Sequence, residues 1–340
     1  MSEMQNTAAA VPDPSSIIRL STAYWDSQTL LTANRLRIFD LLADGPQSAD
    51  ELAATMQLDP RGTALFLRAC VALGFLAEHS GRFENTPVAN TYLVSCSPAY
   101  MGNVIRYSDQ LYPTWGGLEE AMRCAKPALP AETYLGNDPA RTRGFVQAMH
   151  ERALGVARAL VPMLDLTGRR TMLDVGGGPG TYSVLLTERF PGLRSEVIEL
   201  PGVAAVAREL VAAAGASKRV VLRDGDYHSA DFGFDKDVVL MSGMFHRETG
   251  RACQDLIARA VACLNPGGLL VVSDVFTDPG GCQPTFAALF GLNMMLTARD
   301  GGVHTDADVM HWMTSIGFRD TRTVPLPPPM PHRVVMGIKP

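Results

Sequence analysis

From about residue 170 onward, short apolar runs alternate with stretches of helical spacing, and this alternation restricts the fold more than any other feature of the 340 residues. The runs typical of β-strands cover residues 171–175, 195–199, 219–224, 236–241, 268–275, 320–325 and 333–338. Strands that alternate with helices predict a parallel sheet covered by helices on both faces. The last two runs are joined by a short proline-rich turn, so the final strand is predicted to run antiparallel to the others.

The first of these runs leads into the glycine-rich segment DVGGGPG, residues 174–180, and a helix is predicted after it. A dinucleotide-binding loop has the pattern G-x-G-x-x-G, but Thr181 stands at the third glycine position counted from Gly176. Pro179 removes a backbone N–H that a phosphate-binding loop would donate. No lysine follows Gly180 as a Walker motif requires. These departures weigh against a dinucleotide or a triphosphate, but the glycine motif alone does not identify the ligand, and the rest of the sheet edge has to be considered with it.

The ends of the other strands supply polar groups to one edge of the predicted sheet. Glu199 ends the second strand, Asp226 and Tyr227 follow the third, His246 follows the fourth and Asp274 lies at the end of the fifth. Ligands of open α/β sheets bind at the carboxyl ends of the strands. The Glu199 carboxylate is suited to the two hydroxyls of a ribose, and the acid and ring of Asp226 and Tyr227 are suited to an adenine.

The first hundred residues have a different pattern, two helices followed by a short hairpin at residues 75–83, which is typical of a winged-helix domain. Ser48 and Glu51 have the spacing of a capping box and predict the start of the first of these helices. Many winged-helix domains bind DNA through the second helix, but here its only basic residues are Arg61 and Arg68. We therefore expect no nucleic-acid partner and expect this half to pack against another subunit.

The composition gives the chain no global attraction to nucleic acid or to an anionic membrane, because its formal net charge is −5. No apolar run approaches the ~20 residues that cross a bilayer, and the first residues lack the basic and apolar regions of a secretory signal. The six cysteines are scattered without a C-x-x-C pair. Reduced thiols, a cytoplasmic location, no membrane partner and no metal site are therefore expected.

Taken together, DVGGGPG, ELPGV at residues 199–203, GDY at residues 225–227, the strand-end histidine and LNPGG at residues 264–268 resemble a class I S-adenosylmethionine-dependent methyltransferase. With the winged-helix half in front, residues 17–340 resemble the small-molecule O-methyltransferases of the caffeate/acetylserotonin type. The resemblance implies an α/β fold, a Rossmann-like and mostly parallel seven-stranded sheet with an antiparallel last strand, preceded by an all-helical winged-helix dimerisation domain. The chain then divides into a disordered lead-in at 1–16, the dimerisation domain at 17–100, a helical connection lining the acceptor pocket at 101–165 and the S-adenosylmethionine-binding domain at 166–340.

For function, the resemblance implies a homodimeric enzyme that uses S-adenosyl-L-methionine to methylate a hydroxyl of an aromatic small molecule and releases S-adenosyl-L-homocysteine. His246 matches the family's general base, and Asp274 matches an acid that orients the imidazole. The expected cofactor-binding residues are Asp174, Gly176, Gly178, Glu199, Leu200, Gly225, Asp226, Tyr227 and Ser242. The expected acceptor pocket consists of Met101, Tyr107, Trp115, Met149, Met244, Phe290, Met294 and Met295.

Two segments depart from the family's pattern. Arg247 follows the histidine where the family usually has aspartate, and Val303 and His304 stand where it usually has glutamate and arginine. The missing second acid leaves open a carbon or nitrogen acceptor, or an enzyme that binds the cofactor without transferring methyl. A winged-helix transcriptional regulator and a nicotinamide-dependent dehydrogenase remain the more distant alternatives.

Overall fold

The computed structural model describes residues 12–124, 126–136 and 138–340. The chain forms two compact units, the first ending at Gly102 and the second beginning at Asn103. Most of the expected lead-in, residues 1–11, lies outside the described residues. The end of the lead-in differs from the expectation, because the first helix already begins at Ser15.

The first unit combines helices with a small sheet. Its helices are α1 (Ser15–Thr22), α2 (Tyr24–Arg35), α3 (Ile38–Leu41), α4 (Ala49–Met56), α5 (Pro60–Ala72) and α6 (Pro87–Tyr92). Its strands are β1 (Gln47–Ser48), β2 (Leu76–His79) and β3 (Arg82–Asn85), which pair antiparallel in the order β1-β3-β2. The unit is therefore helical but not all-helical: β2 and β3 form the predicted hairpin, and the segment before α4 adds a third strand.

Local sequence explains these boundaries. The predicted capping box is present, since the Ser48 hydroxyl accepts the backbone N–H of Glu51 at 3.2 Å and the Glu51 carboxylate accepts that of Ser48 at 2.6 Å. The Asp59 carboxylate caps α5 by accepting the backbone N–H of Gly62 at 2.6 Å. The hairpin turns at Ser80 and Gly81, whose φ angles of 51° and 77° are those that a two-residue turn between twisted strands requires.

The second unit contains the larger sheet and the helices around it. Its helices are α7 (Gly102–Trp115), α8 (Leu118–Cys124), α9 (Pro139–Leu160), α10 (Thr181–Arg189), α11 (Pro201–Ala213), α12 (Gly250–Cys263), α13 (Thr285–Thr297) and α14 (Asp306–Ser315), with short 3-10 turns at Ala131–Thr133, Val161–Met163 and Phe245–Arg247. Its strands are β4 (Thr171–Val175), β5 (Arg194–Glu199), β6 (Val220–Asp224), β7 (Lys236–Ser242), β8 (Leu264–Val275), β9 (Arg319–Pro325) and β10 (His332–Ile338). Each strand overlaps a predicted run, and the largest difference is at β8, which begins at Leu264 rather than at residue 268.

The seven strands form one sheet in the order β6-β5-β4-β7-β8-β10-β9. The neighbours from β6 to β8 pair parallel, whereas β10 is antiparallel to both β8 and β9, with His332 opposite Val275 and Arg333 opposite Asp274. The predicted sheet is confirmed. Chain order reverses between β4 and β7, and such a reversal is where open α/β sheets bind ligands.

Helices cover both faces of the sheet. On one face α12 and α14 contribute Leu256 and Val309 to a buried core with the strands. On the other face α9 and α10 contribute Leu160 and Leu186 to a second core. Burial of apolar side chains on both faces stabilises the sheet and leaves its carboxyl edge as the place for polar side chains.

None of the helices within residues 12–124, 126–136 and 138–340 combines the length and apolar character of a membrane span. Over the same residues, no group of three His, Cys, Asp or Glu side chains is placed to hold a metal ion. The six cysteines are free thiols.

Candidate active site

The glycine-rich loop passes tightly over the end of β4. A Cβ at Gly177 would lie 2.6 Å from Cγ of Asp174 and 2.7 Å from Cγ1 of Val197, so only glycine fits at this position. Gly178 has a φ of 55°, in the left-handed region that favours glycine. The loop therefore exposes its backbone at the carboxyl edge, as the sequence predicted, although Gly177 rather than a third spaced glycine makes the close approach.

Asp174 lies beneath this loop and is fully buried. The Ser183 hydroxyl donates to its Oδ2 at 2.6 Å, and Ser183 in turn lies 2.8 Å from the Ser195 hydroxyl. Burial raises the pKa of Asp174 to about 7, the Ser183 hydrogen bond lowers it and the nearby Glu199 raises it further. Asp174 therefore supports the loop from below.

Glu199, at the end of β5, is held by backbone groups on both carboxylate oxygens. Gly178 N–H donates to Oε2 at 2.9 Å, and Leu200 N–H donates to Oε1 at 2.8 Å. Burial raises the pKa of Glu199, while these two N–H groups and the charge of Arg247 lower it in part. The carboxylate is thus fixed in position before any ligand binds.

Tyr227 packs against the glycine loop on the same wall of the cavity. A Cβ at Gly176 would lie 3.2 Å from its ring, so ring and loop are in contact. Its hydroxyl donates to Oε1 of Glu248 at 2.6 Å. The adjacent Asp226 carboxylate accepts the backbone N–H of His228 at 2.9 Å, which fixes the turn after β6.

His246 lies in the 3-10 turn that follows β7 and is paired with Asp274. Its Nδ1 is 2.7 Å from Oδ1 of Asp274, and its backbone N–H donates to Oδ2 at 3.3 Å. The Asp274 side chain is only 2% exposed, against 14% for His246. Burial would raise the pKa of Asp274, but the charge of His246 and hydrogen bonds from His246 and Val275 lower it overall. Asp274 is therefore ionised at neutral pH, and Nδ1 carries the hydrogen that it accepts.

A second histidine lies near this pair. His332 begins β10 and stands opposite Val275 of β8. Burial lowers its pKa to about 4, although Asp274 acts to raise it. It is therefore neutral at pH 7, and the sequence pattern had not identified it as part of the site.

These elements surround one cavity of about 1020 Å³. We call one wall the glycine-loop side and define it as Gly176, Gly178, Glu199, Asp226 and Tyr227. We call the other wall the histidine side and define it as Arg152, His246, Phe290 and Met294. The His246 and Phe290 rings meet edge to face, with centroids 4.9 Å apart. The volume is at the upper end of ordinary ligand pockets, roughly 300–1,000 Å³, and suits two ligands side by side.

Most of the residues expected from the sequence line this cavity. They are Gly176, Gly178, Glu199, Leu200, Asp226, Tyr227 and Ser242 of the cofactor set, His246, and Tyr107, Met149, Met244, Phe290 and Met294 of the pocket set. Asp174, Gly225 and Asp274 lie behind the wall, where Gly225 N–H donates to the Glu199 carbonyl at 3.0 Å. Among the described residues of the second unit, Trp115 and Met295 are not part of the lining, and Trp115 instead donates to Oδ1 of Asn293 at 3.2 Å. Met101 belongs to the first unit.

The two departures from the family pattern have structural counterparts. Burial opposes the charge of Arg247, but a hydrogen bond to the Tyr134 hydroxyl and the neighbouring Tyr227 raise its pKa overall. His304 Nε2 lies 3.2 Å from the carbonyl of Phe245 and 2.9 Å from that of Glu248, so Nε2 donates to the turn that carries His246. His304 therefore supports the same turn from outside the cavity.

Sequence reasoning missed Arg152 and Phe145, which line the cavity from α9. The sequence feature that could have identified them is their spacing, because Phe145, Met149 and Arg152 follow the i, i+4, i+7 pattern of one helix face. That pattern predicts a shared face without saying which cavity the face meets.

Comparison with protein families matches the two units separately. Residues 18–95 match the model of an O-methyltransferase dimerisation domain. Residues 126–319 match the model of an O-methyltransferase domain.

Individual relatives match over nearly the whole length. The chain is 32% identical to a 3-hydroxy-5-methyl-1-naphthoate 3-O-methyltransferase of Streptomyces sahachiroi, over 96% of this chain and 95% of the relative. It is also 32% identical to the tetracenomycin polyketide synthesis 8-O-methyl transferase of Streptomyces glaucescens, over 97% of this chain and 98% of the relative. A solved O-methyltransferase family protein from Burkholderia thailandensis superimposes with a TM-score of 0.86 at 25% identity, over 97% of this chain and 99% of the other.

Proposed function

The chain belongs to the family of S-adenosylmethionine-dependent O-methyltransferases that carry a dimerisation domain, and on that premise we propose that it methylates a hydroxyl of an aromatic small molecule with His246 as general base. The observation that carries the proposal is the 2.7 Å pair of His246 and Asp274 at the wall of the cavity.

The glycine-loop side fits the cofactor of this family. Gly177 lets the loop pack closely onto Asp174 and Val197 beneath it, and the loop itself lines the cavity. Glu199 is fixed on both oxygens and still has lone pairs free for the two ribose hydroxyls. Tyr227 and Asp226 offer a flat ring and an acceptor for the adenine. S-adenosylmethionine, when bound, supplies a methyl group on a positively charged sulfur.

His246 and Asp274 supply the proton chemistry of the other wall. Because Nδ1–H donates to the ionised Asp274, Nε2 is the nitrogen of the neutral imidazole that can accept a proton. A phenol has a pKa near 10 and is almost entirely protonated at pH 7, so its oxygen is a weak nucleophile. Nε2 receives the hydroxyl proton during the transfer, and Asp274 stabilises the imidazolium that results.

The lining of the histidine side favours a planar aromatic acceptor. Phe290 and Met294 offer apolar surface beside His246, and methionine sulfur packs well against aromatic rings. Two relatives act on compounds of this class by name, one on a naphthoate hydroxyl and one in tetracenomycin polyketide synthesis. A hydroxylated fused-ring compound is therefore the acceptor that we propose.

The first unit is proposed to form a homodimer interface. Apolar side chains of α1 and α2 are largely exposed in the single chain, Ile17 at 71%, Leu20 at 63% and Trp25 at 60%. These helices overlap the segment that matches a dimerisation domain, so the same segment of a second subunit would cover them. We expect an obligate-sized interface of ~2,000 Å² or more, no nucleic-acid partner and, given the free thiols, a cytoplasmic enzyme. Sedimentation showing only a 36.6 kDa species at micromolar concentration would contradict the dimer.

The activity is tested with a panel of acceptors. The purified protein is incubated with S-adenosylmethionine and separate naphthols, anthraquinones, catechols and indoles, and the products are identified by mass and by NMR. We expect methyl on an oxygen of at least one fused-ring phenol. Methyl on carbon or nitrogen alone, or cofactor binding by calorimetry without turnover on any phenol, would overturn the proposal. Titration with NAD and NADP should show no binding.

A further inference from the structure

His304 joins the turn after β7 to the chain that follows β8. Its Nε2 lies 2.9 Å from the carbonyl oxygen of Glu248 and 3.2 Å from that of Phe245, on either side of His246 in the turn. Its own backbone carbonyl accepts the N–H of Thr277 at 3.0 Å, just beyond the end of β8. A single residue therefore binds both ends of the turn that carries the histidine and the strand that carries its aspartate.

The hydrogen that binds the two carbonyls is on Nε2 of His304. A carbonyl oxygen only accepts hydrogen bonds, so a ring nitrogen beside two of them is the donor. The imidazole also meets the Trp312 ring edge to face, with centroids 5.4 Å apart, and a Cβ at Gly250 would lie 3.3 Å from that ring. The Cys253 thiol, 3.6 Å from Nε2, donates to the Phe245 carbonyl at 3.8 Å. Packing against Trp312 thus fixes the direction in which Nε2 points.

Two backbone contacts come from the same segment, residues 302–305. Gly302 N–H donates to the carbonyl of His246 at 3.0 Å. Thr305 pairs with Thr277 in an isolated parallel bridge. The segment therefore holds the backbone of the base itself as well as the two ends of its turn.

The imidazole of His246 depends on this backbone for its orientation. Asp274 lies 2.7 Å from Nδ1 and also accepts the His246 backbone N–H at 3.3 Å, so ring and backbone are bound to one carboxylate. Val303 stands where the family usually has its second acid, and its apolar side chain cannot form a hydrogen bond with the imidazole. A shift of the turn would therefore disturb the pair with Asp274, and Val303 could not compensate.

We propose that His304 is a positioning residue for His246: its two hydrogen bonds keep the turn where Nδ1 meets Asp274 and Nε2 of the base is free for the acceptor. The inference rests on the proposed function and names a residue on which its general base depends. Misplacing a catalytic group by about 1 Å costs on the order of 10²-fold in rate. His304 is not part of the cavity lining, so it acts through His246 and not on a ligand.

Two variants separate the hydrogen bonds of His304 from its packing. His304→Gln keeps an N–H donor close to the position of Nε2 but loses the ring, whereas His304→Phe keeps a ring against Trp312 but loses the donor. On 1-naphthol, whose hydroxyl is protonated at neutral pH as in other phenols, we expect His304→Phe to lower kcat ~10- to 100-fold and His304→Gln less than threefold. KM and the dissociation constant for S-adenosylmethionine should change less than threefold in both variants. His311→Phe, at an exposed position of α14, is the matched control.

A second acceptor, 4-nitro-1-naphthol, shows whether the loss arises from the base. Its hydroxyl has already released its proton at neutral pH, so transfer needs no base, and His304→Phe should lower kcat on it less than threefold. A damaged pocket or a loosened fold would slow both acceptors equally, and that result would overturn the proposal. His304→Asn, whose amide nitrogen corresponds to Nδ1 and not to Nε2, provides the same comparison if the phenylalanine variant does not fold.

The tautomer of His246 is measured without any acceptor. Nitrogen-15 NMR at pH 9, where an ordinary histidine is neutral, shows which ring nitrogen carries the hydrogen, and the His246 signals are those missing in His246→Ala. We expect hydrogen on Nδ1 in wild type and His304→Gln, and a mixture of tautomers in His304→Phe.

The outcomes separate the inference from the activity. An unchanged tautomer in His304→Phe, or full activity in His304→Phe with a loss in His304→Gln, overturns the positioning role. A kcat of His246→Ala on 1-naphthol equal to that of wild type overturns the base and this inference with it. A tautomer that depends on His304, in a protein that methylates no phenol, would leave the positioning of His246 intact and contradict only the proposed activity.

Discussion

The two walls of the cavity are built in different ways. On the glycine-loop side, backbone groups hold the structure: both Glu199 oxygens accept N–H groups from residues within the adjoining loops, and Gly177 fits only because it has no side chain. On the histidine side, the groups are side chains from distant parts of the chain, with Arg152 on α9, His246 after β7 and Phe290 on α13. A wall made of backbone suits a ligand that stays the same throughout a family, and a wall made of side chains can change with the acceptor.

This difference predicts a division of effects. Changes on the glycine-loop side should lower the affinity for the cofactor and leave the transfer step close to normal. Changes on the histidine side should slow the transfer or alter the acceptor and leave the cofactor affinity close to normal. The experiments on His246, Asp274 and Glu199 measure both quantities, so each of them can contradict the division.

His246→Ala should have the largest effect. Removing the base should lower kcat ~10²–10⁴-fold on an acceptor whose hydroxyl is protonated at neutral pH, the usual value of general-base catalysis. The dissociation constant for S-adenosylmethionine, from calorimetry, should change less than threefold. His311→Ala, an exposed histidine on α14, is the control. A kcat within threefold of wild type would show that positioning alone drives the transfer.

Asp274→Asn should have a smaller effect of the same kind. The amide keeps the size of the side chain but can donate to Nδ1, which favours the tautomer with a protonated Nε2. We expect kcat to fall ~10- to 100-fold, less than in His246→Ala, with the cofactor affinity unchanged. Asp255→Asn, in an exposed ion pair on α12, provides the comparison. A loss of cofactor affinity in Asp274→Asn would show that Asp274 stabilises the cofactor wall as well as the histidine side.

The same difference explains how far the sequence predicted the structure. The seven strands and the glycine-loop side could be predicted because each strand end and its loop are contiguous in sequence, as at Glu199 and Tyr227. Arg152 and His332 could not, since their place depends on how α9 crosses the sheet and how β10 pairs with β8. The third strand of the first unit was missed because β1 is a two-residue pairing set by tertiary contact.

Glu199→Gln tests the glycine-loop side. The amide can accept one backbone N–H but cannot accept the other, so either Gly178 or Leu200 loses its partner. Together with a weakened ribose contact, this should lower the affinity for S-adenosylmethionine about tenfold or more, with kcat at saturating cofactor within threefold. Glu188→Gln, at the exposed end of α10, is the control. A fall in kcat without a change in affinity would contradict the assignment of Glu199 to the cofactor.

Asp174→Asn should have the smallest effect, and it concerns stability rather than either ligand. The folded protein holds the Asp174 proton up to a pKa of about 7, whereas an ordinary aspartate, near 3.8, has lost it far below that pH. As the pH rises from 4 toward 7, the unfolded chain releases this proton first, so Asp174 lowers the free energy of unfolding until the folded carboxyl also ionises. The asparagine variant lacks this dependence. Its free energy of unfolding relative to wild type should therefore increase by about 1 kcal/mol between pH 6 and 7.5, measured by urea titration at fixed protein concentration.

Asp320→Asn, at an exposed position of β9, should show no such change and serves as the control for the Asp174 experiment. Cofactor affinity in Asp174→Asn should stay within threefold of wild type, because the side chain lies behind the loop and not on the cavity wall. The opposite result would be a large loss of cofactor affinity together with a difference in free energy of unfolding, variant minus wild type, that does not change with pH. It would mean that the charge of Asp174 acts on the cofactor through Gly177. The glycine-loop side would then depend on a side chain as much as the histidine side does. This result would contradict the proposal that backbone groups alone build the cofactor wall.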